Sequence, residues 1–328
     1  MSAPTTARRN GSRPAHIRAA FSHEALLYDG ETDFLTGTLP FVQEGVDNDE
    51  AVLVVVDGRK IARLREALGA DADKVQFADM SAVGLNPARI IPAWQDFVSE
   101  HGAEGRPLRG IGEPISASRT ADQLIECQRH ESLLNVAFGG AGSTAPWRLL
   151  CPYDVTSLSP LVIEEARRSH PYVLDQGRPA PSTDFRGVEA SAAPFDSPLP
   201  KPPSTANRFE FATESLHDVR KVVGLFAINA GMTNDDALDL ALAVHEIAAN
   251  SMRYGGGTGV LHNWSTDSAV ICEIRDNGNI DAPLAGRERP PTHNTGGRGL
   301  WLANQLCDLV QIRTLPRGGV VRLHKFCS

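Results

Sequence analysis

No stretch of this 328-residue chain approaches the roughly 18 consecutive apolar residues that a membrane helix needs. Arg8, Arg9, Arg13 and Arg18 fall near the start, but no apolar segment follows them. That pattern predicts a disordered leader over residues 1–14 rather than a signal peptide. Cysteine is scarce. Cys127, Cys151, Cys272, Cys307 and Cys327 are odd in number, widely spaced and without a C-x-x-C pair, which fits a reducing compartment better than a disulfide framework. A basic stripe is also missing. The net charge is −8 and both signs are mixed along the chain, so no direct contact with nucleic acid is expected. These absences predict a soluble cytoplasmic protein with no membrane segment.

What is present divides in two, as the length alone suggests. Residues 15–176 alternate strand and helix patterns. Ala51–Val56 is a β-branched apolar run ended by Asp57-Gly58, the mark of a strand buried on both faces. Helical spacing follows over 60–68, from Pro87 to Val98, over 121–136 and over 161–168, with strand patterns at 75–77, 108–115 and 147–151. Repeated β-α units predict an α/β domain with a mostly parallel sheet. Residues 177–208 are rich in Pro, Ser and Ala and read as a linker. Beyond Phe209 come two helical patterns, four strand patterns and a further helix at 299–307. They predict an α+β domain over 209–328, with helices layered on a largely antiparallel sheet.

The second half carries the chemistry. HEIAANSMRYGGG, from His245 to Gly257, begins like the zinc-protease motif H-E-x-x-H, but Asn250 falls one residue beyond the second histidine's place, which Ala249 fills. Without that histidine zinc lacks a ligand, and no stoichiometric zinc is expected in the purified protein. Glu246 and Asn250 lie one turn apart on a helix face. Their hard oxygen donors suit magnesium, and the same pair equally suits the solvated face of an amphipathic helix. Downstream, a strand pattern ends in Asp276-Asn277-Gly278, where a carboxylate can accept an adenine amino group. Thr295-Gly-Gly-Arg-Gly-Leu300 then enters a helix. Glycines at a helix N-terminus offer backbone N–H groups and the positive dipole end to phosphate. A Walker A loop is absent.

Taken in order, HEIAANSMRYG, RDNGN and GGRGLWLANQLCD resemble the N box and two glycine boxes of the GHKL (Bergerat-fold) ATPases, in the branch of anti-sigma-factor serine/threonine kinases. The resemblance covers residues 209–328. It implies ATP and Mg2+ as cofactors, Asn250 as the magnesium ligand and Glu246 as catalytic base. It also implies Asp276 and Gly278 at adenine, with Gly297, Arg298, Gly299 and Leu300 along the phosphates. Arg253, one turn past Asn250, is in reach of a phosphate or of solvent. Residues 282–294 would form a short lid. Leu216-His217-Asp218-Val219-Arg220 mimics a histidine-kinase acceptor box, but only one helix separates it from Glu246, leaving no room for the usual hairpin. His217 is therefore expected to be a surface residue.

The first half speaks less clearly. Gly139–Thr144 is glycine-rich without a lysine and reads as a loop. SHEALLYDG, EAVLVVVDG, LRGIGEPI, LLCPYD and SHPYVLDQG resemble the MEDS sensory domain of prokaryotic regulators, which implies a RecA-like fold over 15–176 and a small ligand of unknown kind. His23, Glu113, Cys151 and His170 are candidate ligand contacts, although their spacing is unlike that of a metal motif. Together the two resemblances imply a sensor controlling an ATP-dependent kinase whose partners are a sigma factor, a STAS-type anti-sigma-factor antagonist, or both. The resembling kinases pair as dimers, which implies a homodimer. The alternative is a module that uses nucleotide to bind a partner and transfers nothing.

Overall fold

The run Ala51–Val56 becomes a strand inside a seven-stranded sheet, as its composition requires. The computed structural model describes residues 21–327 apart from 103–104, 141–144, 176, 192 and 292–296. The expected leader, most of the Gly139–Thr144 loop, the end of the lid and Gly296 lie outside the described residues.

The first half runs β1 (Phe21–Tyr28), α1 (Gly30–Asp47), β2 (Ala51–Val56), α2 (Gly58–Leu68), β3 (Gln76–Asp79), α3 (Met80–Val83), α4 (Ile90–His101), β4 (Leu108–Gly112), α5 (Ala121–Phe138), β5 (Trp147–Asp154), α6 (Pro160–Ser169), β6 (Tyr172–Asp175) and β7 (Arg178–Pro181). The sheet order is β3-β2-β4-β5-β1-β6-β7. Its pairs are parallel except β6 with β7. Helices cover both faces, as parallel sheets demand. Trp94, Trp147, Ile91 and Leu133 fill one core, and Phe34, Val54, Leu64 and Ile111 the other. Helix α5 starts at a capping box made by Thr120 and Gln123, which satisfies two backbone donors at once.

The segment expected as a linker is tied down in several places. Its first residues form β7, and a short helix α7 (Val188–Ser191) follows. Phe195 is buried. The carbonyls of Ser197 and Pro200 accept hydrogen bonds from Arg313 and Arg322 of the second half.

The second half runs β8 (Asn207–Ala212), α8 (Leu216–Asn229), α9 (Asn234–Tyr254), β9 (Thr258–Ser265), β10 (Ala269–Asp276), α10 (Arg298–Leu306), β11 (Leu309–Leu315) and β12 (Gly318–Phe326). Its sheet, in order β11-β12-β10-β9-β8, is antiparallel throughout. Val219, Leu240, Val244 and Ile247 of the helices meet Ile274, Val310 and Leu323 of the sheet in one core.

The halves meet through polar groups. Asn86 Nδ2 donates to the carbonyls of Asn304 and Cys307, both at 3.1 Å. Arg89 donates to the carbonyls of Asn304 at 2.8 Å and Gln305 at 2.7 Å. These carbonyls belong to the C-terminal end of α10, where a helix has orphan acceptors and a partial negative charge. Glu126 of α5 lies between Arg287 and Arg313, its carboxylate 3.2 Å and 2.8 Å from their guanidinium nitrogens. Its side chain is 1 % exposed and theirs 6 % and 2 %.

Candidate nucleotide site

Helix α9 begins where Thr233 accepts from the backbone N–H of Asp236 and runs past Glu246 and Asn250. Its apolar face, including Ala243, Ile247 and Ala248, is buried against the sheet, which turns Asn250 toward the cleft between α9 and α10. A pocket of about 240 Å3 opens there. Asn250, Asp276, Gly278, Gly297 and Leu300 all line it. Three sequence motifs separated by loops and a strand therefore share one cavity.

Local geometry explains the residue types. Asp276 ends β10, and its Oδ1 accepts the Gly278 N–H at 2.7 Å while Oδ2 accepts from Ser251 Oγ at 2.5 Å. The carboxylate is thus fixed by two donors and keeps acceptor capacity for a ligand. A Cβ at Gly255 would stand 2.6 Å from Asp276 Cγ, and one at Gly278 would stand 2.9 Å from the Tyr254 carbonyl. Gly297 caps α10 at φ 82°, a backbone shape that side chains disfavour. A Cβ at Gly299 would come within 2.8 Å of Asn250 Nδ2, so glycine lets the start of α10 lie directly on α9. The N-terminal N–H groups of α10 thereby face the pocket region, where an anion would be stabilised. The oxygen donors and glycine cradle fit a magnesium nucleotide. A larger, open cleft of about 570 Å3 on the far side of Asp276 holds none of the α9 or glycine-loop residues.

In the first half, β1, α5, β5 and the end of α6 bring His23, Glu131, Cys151 and His170 together, all buried. His23 Nε2 lies 3.3 Å from both Glu131 Oε2 and Cys151 Sγ. His170 Nε2 lies 3.2 Å from the same Glu131 oxygen, without hydrogen-bond alignment. Burial first, then His170, pushes the His23 pKa down to about 4. Burial alone would raise the Glu131 carboxyl, but the closeness of His170 and His23 holds it well below the usual range.

Residues 22–171 match the family described as "MEthanogen/methylotroph, DcmR Sensory domain", or MEDS. Residues 209–325 match the family described as "Histidine kinase-like ATPase domain". The chain joins a MEDS domain to a histidine kinase-like ATPase domain. Among solved structures, it is similar to the RsbU and RsbW domains of Rv1364c from Mycobacterium tuberculosis, at 16% identity and a TM-score of 0.28, over 37% of this chain and 33% of that chain. The match therefore spans about a third of that protein's length. No curated protein matches the chain.

Not every expected residue reaches its site. In the ATPase domain, Glu246 is half-buried and Arg253 and Arg298 are exposed, and none of the three lines the pocket. His217 is a surface residue of α8, its side chain 78% exposed. In the MEDS domain, Glu113 stands apart from the histidine cluster. Its carboxylate takes 2.7 Å and 2.6 Å hydrogen bonds from Lys60 Nζ and a 2.6 Å bond from the Tyr28 hydroxyl. Sequence reasoning missed Glu131 and Ser251. Ser251 had a local signal, being a serine buried in a helix beside Asn250. Among the described residues, no helix is long and apolar enough to cross a membrane.

Proposed function

We propose that this protein is a cytoplasmic signalling kinase of the anti-sigma-factor type, in which the MEDS domain senses a small ligand and controls Mg-ATP use by the ATPase domain. The observation that carries this reading is the convergence of Asn250, Asp276, Gly278, Gly297 and Leu300 on one pocket. Asp276, oriented by Ser251 and the Gly278 N–H, accepts the adenine amino group. Asn250 holds magnesium, which neutralises phosphate charge when bound. The N–H groups at the start of α10 hold the phosphates. Glu246, one turn before Asn250, accepts the proton of a serine or threonine hydroxyl on a STAS-type antagonist. Phosphoryl transfer asks for positioning and charge neutralisation above all, which this set of residues provides. The sigma factor is the second partner, and the protein pairs as a homodimer.

Control by the sensor is supported by the contacts between the halves. Asn86 and Arg89 hold the C-terminal end of α10, whose N-terminus faces the pocket. Glu126 holds Arg287 of the expected lid. A change in the MEDS domain therefore reaches both the phosphate helix and the lid.

One observation favours a second reading, a nucleotide-dependent binding module that transfers nothing: Glu246 does not line the pocket. Calorimetry of the full chain with Mg-ATP, followed by radiolabelled ATP with a panel of antagonist proteins, separates the two. Binding with label on an antagonist serine or threonine is the expected result. Binding without label establishes the module, and absence of binding overturns both.

A further inference from the structure

The histidine cluster of the MEDS domain has a feature that ordinary core polarity does not explain. His23 Nδ1 faces Asn135 Oδ1 at 3.1 Å. The Asn135 amide is oriented by its Nδ2, which donates to the Ser169 carbonyl at 2.8 Å, so Oδ1 is the atom left facing His23. An amide oxygen only accepts, so His23 Nδ1 carries the proton. His170 Nδ1 faces the Ala166 carbonyl at 2.8 Å, and the same logic places its proton on Nδ1. In the neutral rings both Nε2 atoms are then bare lone pairs. Both lie beside one oxygen of Glu131, itself an acceptor, at 3.3 Å and 3.2 Å. Three acceptors converging at that range repel unless a proton or a metal cation stands among them. His170 Nε2 and Glu131 Oε1 also lack hydrogen-bond partners in a fully buried setting. Cys151 Sγ completes the group.

We propose that His23, Glu131, Cys151 and His170 form a buried tetrahedral site for a zinc-class divalent cation. Imidazole, thiolate and carboxylate are the ligands zinc takes. A tetrahedral zinc with ligands at about 2.0–2.3 Å spaces its ligand atoms roughly 3.3–3.8 Å apart. The four ligand atoms here lie within 4.8 Å of one another, with contacts of 3.2–3.3 Å already made. Each histidine's second nitrogen donates to an oxygen, the outer support that metal-bound histidines use to fix ring orientation. Cys151 loses its thiol proton on binding, and that proton goes to solvent. The ligands come from four elements, and a closed four-ligand set without an open position is the form of a structural or sensory centre rather than a hydrolytic one. The inference names the ligand class for the sensor but does not depend on the nucleotide reading, since metal content is measured without ATP.

The test uses the full chain, produced in medium supplemented with Zn2+ or with Co2+. Elemental analysis should find stoichiometric zinc. The cobalt form should show tetrahedral visible bands and a near-ultraviolet thiolate-to-cobalt band. Cys151→Ser should lose the thiolate band while circular dichroism stays that of a folded chain, and Cys127→Ser, which alters a buried thiol outside the cluster, should keep it. His170→Gln should release the metal. Should that variant fail to fold, the Cys151→Ser spectrum still decides. A folded wild-type chain that holds only traces of metal and shows no cobalt bands after refolding with Co2+ overturns the proposal, as does a thiolate band that survives Cys151→Ser.

Discussion

Glu126→Gln is the most informative single change at the junction of the two domains. It keeps the size of the side chain and removes only the charge between Arg287 and Arg313, whose guanidinium nitrogens lie 3.2 Å and 2.8 Å from the carboxylate. Burial already pushes Arg287 down to about 10, with the Glu126 charge acting in the other direction. Taking away one member of a buried pair strands the remaining charge and costs about 3–5 kcal/mol. Two arginines lose their partner here, so the lower end of that range is the minimum expected. The cost can be met in two ways. If the arginines stay buried, the full chain loses that stability in chemical denaturation. If Arg287 escapes to water, the segment around it opens, and 3 kcal/mol corresponds to roughly a 100-fold rise in the open fraction. Limited proteolysis then cuts near residues 282–291 far faster than in wild type. A double change with Arg287→Met should recover much of the loss, because the two sites touch and their effects cannot add. An unfolding midpoint and a cleavage rate that both stay at wild type would refute the idea that Glu126 joins the domains.

Asp276→Asn should weaken nucleotide affinity by roughly 10–100-fold, the worth of a charged hydrogen-bond acceptor replaced by a mixed donor and acceptor; unchanged affinity in calorimetry removes Asp276 from the site. Arg89→Ala leaves the Gln305 carbonyl without its donor and the Asn304 carbonyl with Asn86 alone and should lower stability by about 1–3 kcal/mol, read from the denaturant midpoint. Glu246→Gln should leave Mg-ATP binding intact and slow single-turnover transfer by about 10²–10⁴-fold, whereas Asn250→Ala should weaken Mg-ATP binding and transfer together. Transfer at the wild-type rate in Glu246→Gln removes the base assignment.

Sequence was most legible where structure is local. The β-branched run 51–56 coincides with β2, and the helix expected from Ala121 starts there. The three nucleotide motifs could be read because each is a short segment with its own pattern of glycines and polar residues. Strand β1 was hidden for the opposite reason. FSHEALLY buries His23 and Glu24 inside a central strand, and the partners that make this tolerable, Asn135 and Arg148, lie more than a hundred positions away. The same distance concealed Glu131, while Glu113, expected beside His23, is drawn instead to Lys60 and Tyr28. The Pro- and Ser-rich segment 177–208 has little apolar pattern of its own. Its order comes from β6 and from Arg313 and Arg322, which no local pattern reveals.

Helix α5 contacts both the ATPase domain and the histidine cluster. Six of its ten buried positions are polar: Gln123, Glu126, His130, Glu131, Ser132 and Asn135. A helix with one solvated face would not bury so many, so α5 is covered on more than one side. Glu126 and Glu131 lie about 140° apart around its axis at 3.6 residues per turn. One points to Arg287 and Arg313 of the ATPase domain, the other to His23 and His170 of the MEDS core. A helix held by a carboxylate at each site cannot satisfy one in a new position without displacing the other. Occupancy of the histidine cluster is therefore expected to be felt at the Arg287 contact through α5, and any coupling free energy between the two acts equally in both directions.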